Sequence, residues 1–349
     1  MEVDNINQVK YKGETYEVQD GFLDLGLLEI EDISQVQNLN KAHVKHLELS
    51  SNEIQQVAGL EELHNLEILN MSSNKLTSMS GISNLKSLKI LHLASNNISK
   101  IEDLENLTNL EELYLRGNQI SKLKGIENLT NLQKLDLSWN SIRKIEGLEN
   151  LGELEVLWMA GNQIKALEGL DGLKNLKILN LAGNLIERIE GLDQLDLLTE
   201  LYLNDNHIKK IEGLENLKNL DTLWITSNNI KEIEGFEYCL NLNVLNLKDN
   251  QIDEIKNLYE VTSLNKLFLS GNKIEVIKGL ETLQNLETLD LGDNDITRVS
   301  GLESLTNLKD LWLYGNNIDT ELLDQLGGLD AGGCAFDATK FVEFCLVNL

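Results

Sequence analysis

Asparagine recurs every 22 residues, thirteen times in unbroken register, from Asn52 and Asn74 through to Asn294 and Asn316. Around each lies the frame L-x-x-L-x-L-x-x-N-x-I, as in Leu110, Leu113, Leu115, Asn118 and Ile120. A period of this length marks one small structural unit that buries its apolar face only by stacking on its neighbours. The chain is therefore expected to form a solenoid. A solenoid offers a long curved surface, which suits binding better than chemical turnover.

The two leucines of L-x-L alternate with other residues, the periodicity of a strand. They face inward, and the residue between them faces out on the concave side. Thirteen such strands stack as a parallel sheet at about 4.8 Å per strand. After the asparagine, apolar residues return in steps of three, as in Ile120, Leu123, Ile126, Leu129 and Leu132. That spacing suits short 3₁₀-like or irregular turns on the convex side.

The asparagine has a structural task. The chain turns at the end of each strand while still close to the core, and its backbone groups need partners there. An inward amide both donates and accepts, so stacked copies form a ladder between coils. A second column carries glycine at 59, 81, 125, 147, 169, 191, 213, 235, 279 and 301, with Asp103 and Asn257 as the exceptions in register. Gly, Asn and Asp tolerate positive φ, so a left-handed turn is expected at this position in every repeat.

Solenoid ends expose core and need covers. The run Val9 to Val18 reads as a hairpin turning near Gly13. A degenerate repeat follows, with Leu23, Leu25, Ile30 and Ile33, and Leu28 where asparagine would stand. At the far end Asp319 is placed to cap a short helix through Leu322, Leu323 and Leu326, stopped by Gly327 and Gly328. Asp337 is placed to cap a second helix with Phe341, Phe344 and Cys345 on one face. The expected organisation is an N-terminal cap hairpin at 1–21, an array of one degenerate and thirteen regular repeats at 22–318, and a helical C-terminal cap at 319–349. No linker or composition break interrupts it.

The formal net charge is −27. This argues against nucleic acid, which is held largely by Lys and Arg on phosphates, and against anionic membranes. The start MEVDNINQVK has no basic and apolar stretch of the signal-peptide kind, and no segment is apolar enough to span a bilayer. The three cysteines, Cys239, Cys334 and Cys345, do not form paired end clusters, and Cys239 stands where a neighbouring repeat has Leu217. Free thiols in an intracellular protein, in cytoplasm or nucleus, are expected.

The outward residue between the strand leucines departs from a solvated sheet. The row reads Glu48, Asn70, His92, Tyr114, Asp136, Trp158, Asn180, Tyr202, Trp224, Asn246, Phe268, Asp290, Trp312, six of the thirteen aromatic in a chain that is 5% aromatic overall. Trp139 lies at a strand exit and Tyr314 beside Trp312. A sheet face open to water should be polar, and exposed Trp and Tyr mark binding anchors. Mutual shielding of neighbouring aromatics is the alternative reason for such a row. Flanking positions carry Glu112, Glu200, Asp205, Asp249, Asp293 and Asp310 against Arg116, Lys134, Lys248 and Lys266. The face is aromatic and acidic, and suits a protein partner with basic and apolar features. The candidate contact residues are Tyr114, Asp136, Trp139, Trp158, Tyr202, Trp224, Phe268, Asp290, Trp312 and Tyr314. No catalytic residue is expected, because the chain has no phosphate loop and no nucleophile elbow. No metal site or cofactor is expected either: Asp290, Asp293 and Asp295 lack the spacing of an EF-hand loop.

Repeats such as K-I-E-G-L-E-N-L followed by L-x-L-x-x-N-x-I resemble the short, 22-residue class of leucine-rich repeats, over about residues 22–318. The best-known member of that class is the leucine-rich-repeat regulatory subunit of protein phosphatase 1. The resemblance implies an α/β fold, a leucine-rich-repeat solenoid or curved horseshoe with a parallel β-sheet on the concave face and 3₁₀ or irregular turns on the convex face; the N-terminal β-hairpin cap and the C-terminal helical cap are read from the end residues themselves. The reading of the residues is a non-catalytic interaction module, monomeric when alone. The resemblance also implies a narrower reading, a regulator holding a phosphatase catalytic subunit on acidic and aromatic concave residues; a structural or cytoskeletal scaffold using its caps or convex face is a separate alternative. The ends depart from the regulator: its array closes with a proline- and arginine-containing cap, whereas this chain runs L-L-D-Q-L-G-G-L-D and then T-K-F-V-E-F-C.

Overall fold

The computed structural model describes residues 7–348. They form a parallel-sheet solenoid with few helices, in two compact units: residues 7–164 with 168–176, and 165–167 with 177–348.

The first unit begins with a hairpin, β1 (Gln8–Tyr11) against β2 (Glu14–Glu17), antiparallel, with Val9 opposite Tyr16. Lys12 and Gly13 between them both have positive φ, 47° and 87°, as a two-residue hairpin turn requires. Seven parallel strands follow: β3 (Phe22–Asp24), β4 (His46–Glu48), β5 (Ile68–Asn70), β6 (Ile90–His92), β7 (Glu112–Tyr114), β8 (Lys134–Asp136) and β9 (Val156–Trp158). Each is displaced from the last by one repeat, so Leu23, Leu47 and Leu69 stand side by side, as do Leu113, Leu135 and Leu157. Phe22–Asp24 makes the degenerate first repeat a true strand of this sheet.

The second unit repeats the pattern in β10 (Ile178–Asn180), β11 (Glu200–Tyr202), β12 (Thr222–Trp224), β13 (Val244–Asn246), β14 (Lys266–Phe268), β15 (Thr288–Asp290) and β16 (Asp310–Trp312). It closes with α1 (Thr320–Gln325), capped by Asp319 through Glu321 N at 2.9 Å, and α2 (Ala338–Val347), capped by Asp337 through Thr339 N at 3.1 Å. Gly327 and Gly328, at φ 106° and 83°, end the first helix. The second buries Ala338, Phe341, Val342 and Cys345 and leaves Phe344 half-exposed. All three cysteines are free thiols. Burial pushes the pKa of Cys239 up to about 12, in keeping with its place in a leucine column of the core.

Within a repeat the inward side chains leave almost nothing in water. Leu110, Leu113, Leu115, Ile120, Leu123, Ile126 and Leu129 are all at most 1% exposed. Each contributes about 1.5–3 kcal/mol of burial. The return leg is a chain of single turns, such as Leu129 N to Ile126 O at 3.0 Å and Leu132 N to Leu129 O at 2.9 Å. Only at Ile33–Gln35, Leu39–Lys41 and Ile82–Asn84, among the described residues, do these turns extend into 3₁₀ helix.

The asparagines bind coil to coil. Asn118 Nδ2 donates to Leu93 O of the preceding repeat at 2.9 Å and to Leu115 O of its own at 3.0 Å. Its Oδ1 accepts from Ile98 N at 3.0 Å. The degenerate repeat, which has no asparagine, is served from outside: Asn52 Oδ1 accepts from Leu28 N and Ile30 N, each at 3.0 Å. The glycine column is left-handed, and so are its substitutes, Asp103 at φ 58° and Asn257 at φ 59°. Space matters as well as angle there, since a Cβ on Gly147 would stand 2.6 Å from Leu123 O. Asn257 meets the equivalent carbonyl with a hydrogen bond, Nδ2 to Ile233 O at 2.8 Å.

Replacing Asn118 by Ala leaves Ile98 N without an acceptor and the Leu93, Leu115 and Arg116 carbonyls without that donor. Urea denaturation should show a loss of about 1–3 kcal/mol, the cost of buried unpaired polar groups. An unchanged midpoint would mean that the ladder is incidental.

Candidate functional site

Side chains at the ends of each strand triplet point away from the leucine core, so the strands place their middle leucine inside and lift the flanking residues onto an open face. On β6 to β9 this face carries a connected cluster. The His92 and Tyr114 rings stack 4.4 Å apart with 4° between planes. Tyr114 Oη donates to Glu112 Oε2 at 2.6 Å, and Lys134 Nζ donates to Glu112 Oε1 at 2.9 Å. Burial, reinforced by the Glu112 hydrogen bond, raises the Tyr114 pKa. Burial also lowers that of His92, against the pull of Glu112 and Glu48, which keeps the stacked ring neutral at pH 7. Asp136 Oδ1 accepts from Ser138 N at 2.9 Å, and Trp158 is half-buried.

Trp139 has an unusual backbone. It sits at φ 57°, a region in which a bulky residue is a genuine outlier, and its side chain is 59% exposed. Its position, directly before the repeating asparagine, is left-handed in all thirteen repeats: Ser51, Ser73 and Ser95, then Gly117, Trp139, Gly161, Gly183, Asp205, Ser227, Asp249, Gly271, Asp293 and Gly315. Every copy but one is Gly, Ser or Asp. The indole of Trp139 lies over Gly161, where a Cβ would come within 2.9 Å of Cδ2.

In the second unit, Tyr202 Oη donates to Glu200 Oε2 at 2.6 Å, and burial with this bond pushes the tyrosine pKa up to about 12. The Tyr202 and Trp224 rings meet at 6.0 Å and 59°, and Trp224 is 38% exposed. Lys248 Nζ lies 5.3 Å from the Phe268 ring centre and pairs with Asp290. Asp290 also accepts from Ser270 Oγ at 3.1 Å and Gly292 N at 3.0 Å, and only 3% of it is exposed. Sequence pattern alone puts Asp290 on the outward row as a contact. The structure draws it under Lys248, because a carboxylate in that position gains an ion pair and two hydrogen bonds that offset its desolvation. Trp312 is half-buried and forms a backbone bridge to Cys334 of the terminal cap, while the Tyr314 ring occupies room left by Gly292 and Gly333.

Tyr114, Asp136, Trp139 and Trp158 therefore share one face of the first unit. Tyr202, Trp224, Phe268, Trp312 and Tyr314 share the corresponding face of the second. Sequence reading did not identify the left-handed rim before each asparagine, although its run of Gly, Ser and Asp was the signal.

The comparisons with known proteins follow this architecture. A family model described as "Leucine Rich repeats (2 copies)" matches residues 42–84, 64–107, 86–128, 108–151, 152–194, 196–238, 262–296 and 284–327, together well over half of the chain. The chain belongs to the leucine-rich-repeat family. Among solved structures it is similar to an internalin (InlF) of Listeria monocytogenes, at 29% identity and a TM-score of 0.77, over 86% of this chain and 89% of that one. It is also similar to a leucine-rich-repeat protein of Leptospira interrogans, at 25% identity and a TM-score of 0.70, over 87% and 92%. The ectodomain of an Arabidopsis thaliana receptor kinase, in complex with CASPARIAN STRIP INTEGRITY FACTOR 2, shares the fold at 24% identity and a TM-score of 0.62, over 80% of this chain and 36% of that one. None of the curated proteins matches this chain. Members of the family are in general protein-interaction modules and typically not enzymes. Among the described residues no helix is long and apolar enough to cross a membrane, and no cluster of His, Cys, Asp or Glu is arranged to hold a metal ion.

Gly161→Ala should be destabilising twice over, through a left-handed Cβ at about 1–2 kcal/mol and through displacement of the Trp139 ring. In a Trp139→Ser background only the backbone part should remain, so a double-mutant cycle in urea should show coupling of about 0.5 kcal/mol or more. Equal losses in both backgrounds would mean that the indole does not rest on Gly161.

Proposed function

We propose that this protein is a non-catalytic interaction module that holds a protein partner on the aromatic and acidic face of its strands, the face expected to be concave. The observation that carries this reading is the exposure of large aromatics where a solvated sheet needs none. Trp139 is 59% and Trp224 38% exposed, and Trp139 is kept there in a backbone conformation that disfavours tryptophan. Trp and Tyr are the side chains that most often anchor protein interfaces.

The polar groups on the same face favour a basic and apolar partner. Lys134 and Lys248 are engaged by Glu112 and Asp290, so neither balances the remaining acids. The contact set is Tyr114, Asp136, Trp139, Trp158, Tyr202, Trp224, Phe268, Trp312 and Tyr314, with Asp290 fixing Lys248 over Phe268 rather than touching the partner. The fold similarity supports the class of function: the Arabidopsis ectodomain with the same fold is in complex with a named factor. The phosphatase-regulator reading rests on the repeat resemblance and the scaffold reading on use of the caps or convex face, and the identity of the partner decides between them.

The test is affinity capture from lysate, read by mass spectrometry, with the intact chain beside a Trp158→Ala, Trp224→Ala, Trp312→Ala variant. A partner retained by the first and lost by the second, with circular dichroism unchanged, is the expected result. A phosphatase catalytic subunit among the lost proteins would select the regulator reading. Identical recoveries from both would contradict binding on this face.

A further inference from the structure

The open face of the second unit has a period of its own, two repeats long. Trp224, Phe268 and Trp312 are spaced 44 residues apart, and the further half-exposed ring Tyr202, tied to Glu200, stands on the strand before Trp224. On the left-handed rim, Asp205, Asp249 and Asp293 have the same spacing, offset by one strand, and all three are exposed. The rim positions between them are Ser227 and Gly271, and Gly315 follows Asp293. The alternation has a steric cause: the Asp249 and Asp293 carboxylates occupy the places where a Cβ on Gly271 and Gly315 would stand. Adjacent parallel strands are about 4.8 Å apart, so both the ring series and the carboxylate series repeat at about 9.6 Å.

Among the described residues no ion pair neutralises the rim aspartates. Lys248, next to Asp249 in sequence, is held by Asp290 and lies over Phe268. No hydrogen bond or ion pair engages the side chains of Asp205, Asp249 or Asp293 among the described residues. Lys248 also shows what this face accepts, because its ammonium sits on an aromatic ring beside a carboxylate. Trp224, flanked by Asp205 and Asp249 on adjacent repeats, offers the same pair of groups to a cation from outside.

A ligand that satisfies three carboxylates at this spacing must repeat its own charge at the same interval. A polyproline II segment advances about 9.3 Å per three-residue turn. An α-helix advances about 10.5 Å per seven residues, and a strand about 6.7 Å per two. Over the two intervals from Asp205 to Asp293 the polyproline II segment drifts by about 0.6 Å and the helix by about 1.8 Å. We infer that the second unit binds an extended, polyproline II-like segment of a partner protein with Lys or Arg at every third position, its cations on Asp205, Asp249 and Asp293, an apolar residue between the first two cations on Trp224, and one beyond the third on Trp312. This rests on the interaction reading above and names the class of partner segment.

The test uses the full chain and fluorescein-labelled peptides in anisotropy titrations at physiological salt. The probes are (Arg-Pro-Pro)4, an isomer with its four arginines contiguous, and an alanine-based helical peptide with arginine at every seventh position. The triplet peptide should bind about tenfold more tightly than the isomer. Asp205→Asn, Asp249→Asn, Asp293→Asn together should remove that advantage, and Trp224→Ala should weaken the triplet peptide alone. Equal affinity for triplet and isomer would overturn the inference, since net charge would then explain all binding. Tighter binding of the helical peptide that depends on Trp224 would overturn it too, while leaving the interaction face standing. Binding of all three peptides unaffected by any of these variants would count against both.

Discussion

The structure depends on the hydrogen bonds of one inward amide per coil. Each strand is three residues long and ends in a turn that still lies against the leucine core. The carbonyls of that turn cannot reach water, and the strand is too short to have absorbed them. An asparagine Nδ2 reaches the carbonyls of its own turn and of the preceding one, while Oδ1 takes an N–H from the preceding coil, as Asn118 does with Leu93, Leu115 and Ile98. Serine has too few donors, and aspartate cannot donate when ionised. The amide tolerates some variation in coil length, since Leu23 pairs with Leu47 across 24 residues and Asn52 still reaches Leu25 O and Ile30 N.

A fold held from inside leaves its outward residues open to other demands. Leucine packing and the amide ladder use the inward positions completely, and the outward positions vary from Glu48 to Trp312 with little consequence for the coil. Where the outward residue does join the structure, it does so locally. Asp290 is taken under Lys248, and Tyr114 is tied to Glu112 and stacked on His92. These ties orient the aromatic rings and reduce the freedom that a partner would otherwise have to freeze on binding.

Much of this is legible in the chain itself. The period, the strand leucines, the asparagine and the left-handed column at Gly125 and Asp103 follow from residue type and spacing, since each depends on local geometry that every repeat must satisfy. The fate of Asp290 does not, because its burial depends on Lys248, 42 residues earlier, reaching across two strands. The second left-handed column was hidden for another reason. At Trp139 the residue type contradicts its backbone angle, and only coordinates show that Gly161 on the next coil makes room for the ring. The 44-residue alternation of Trp224, Phe268 and Trp312 with the rim aspartates is visible in the sequence only after that rim has been recognised.

Two neighbouring residues of β12 test the division between an inside that holds the fold and an outward face that does not. Leu223 is fully buried and Trp224 is 38% exposed, so adjacent side chains face opposite ways. Urea unfolding of Leu223→Ala and Trp224→Ala should differ sharply. The leucine variant should lose about 2–5 kcal/mol through its cavity, and the tryptophan variant less than about 1.5 kcal/mol. Equal losses would contradict the account, because the outward aromatics would then be part of what holds the sheet together.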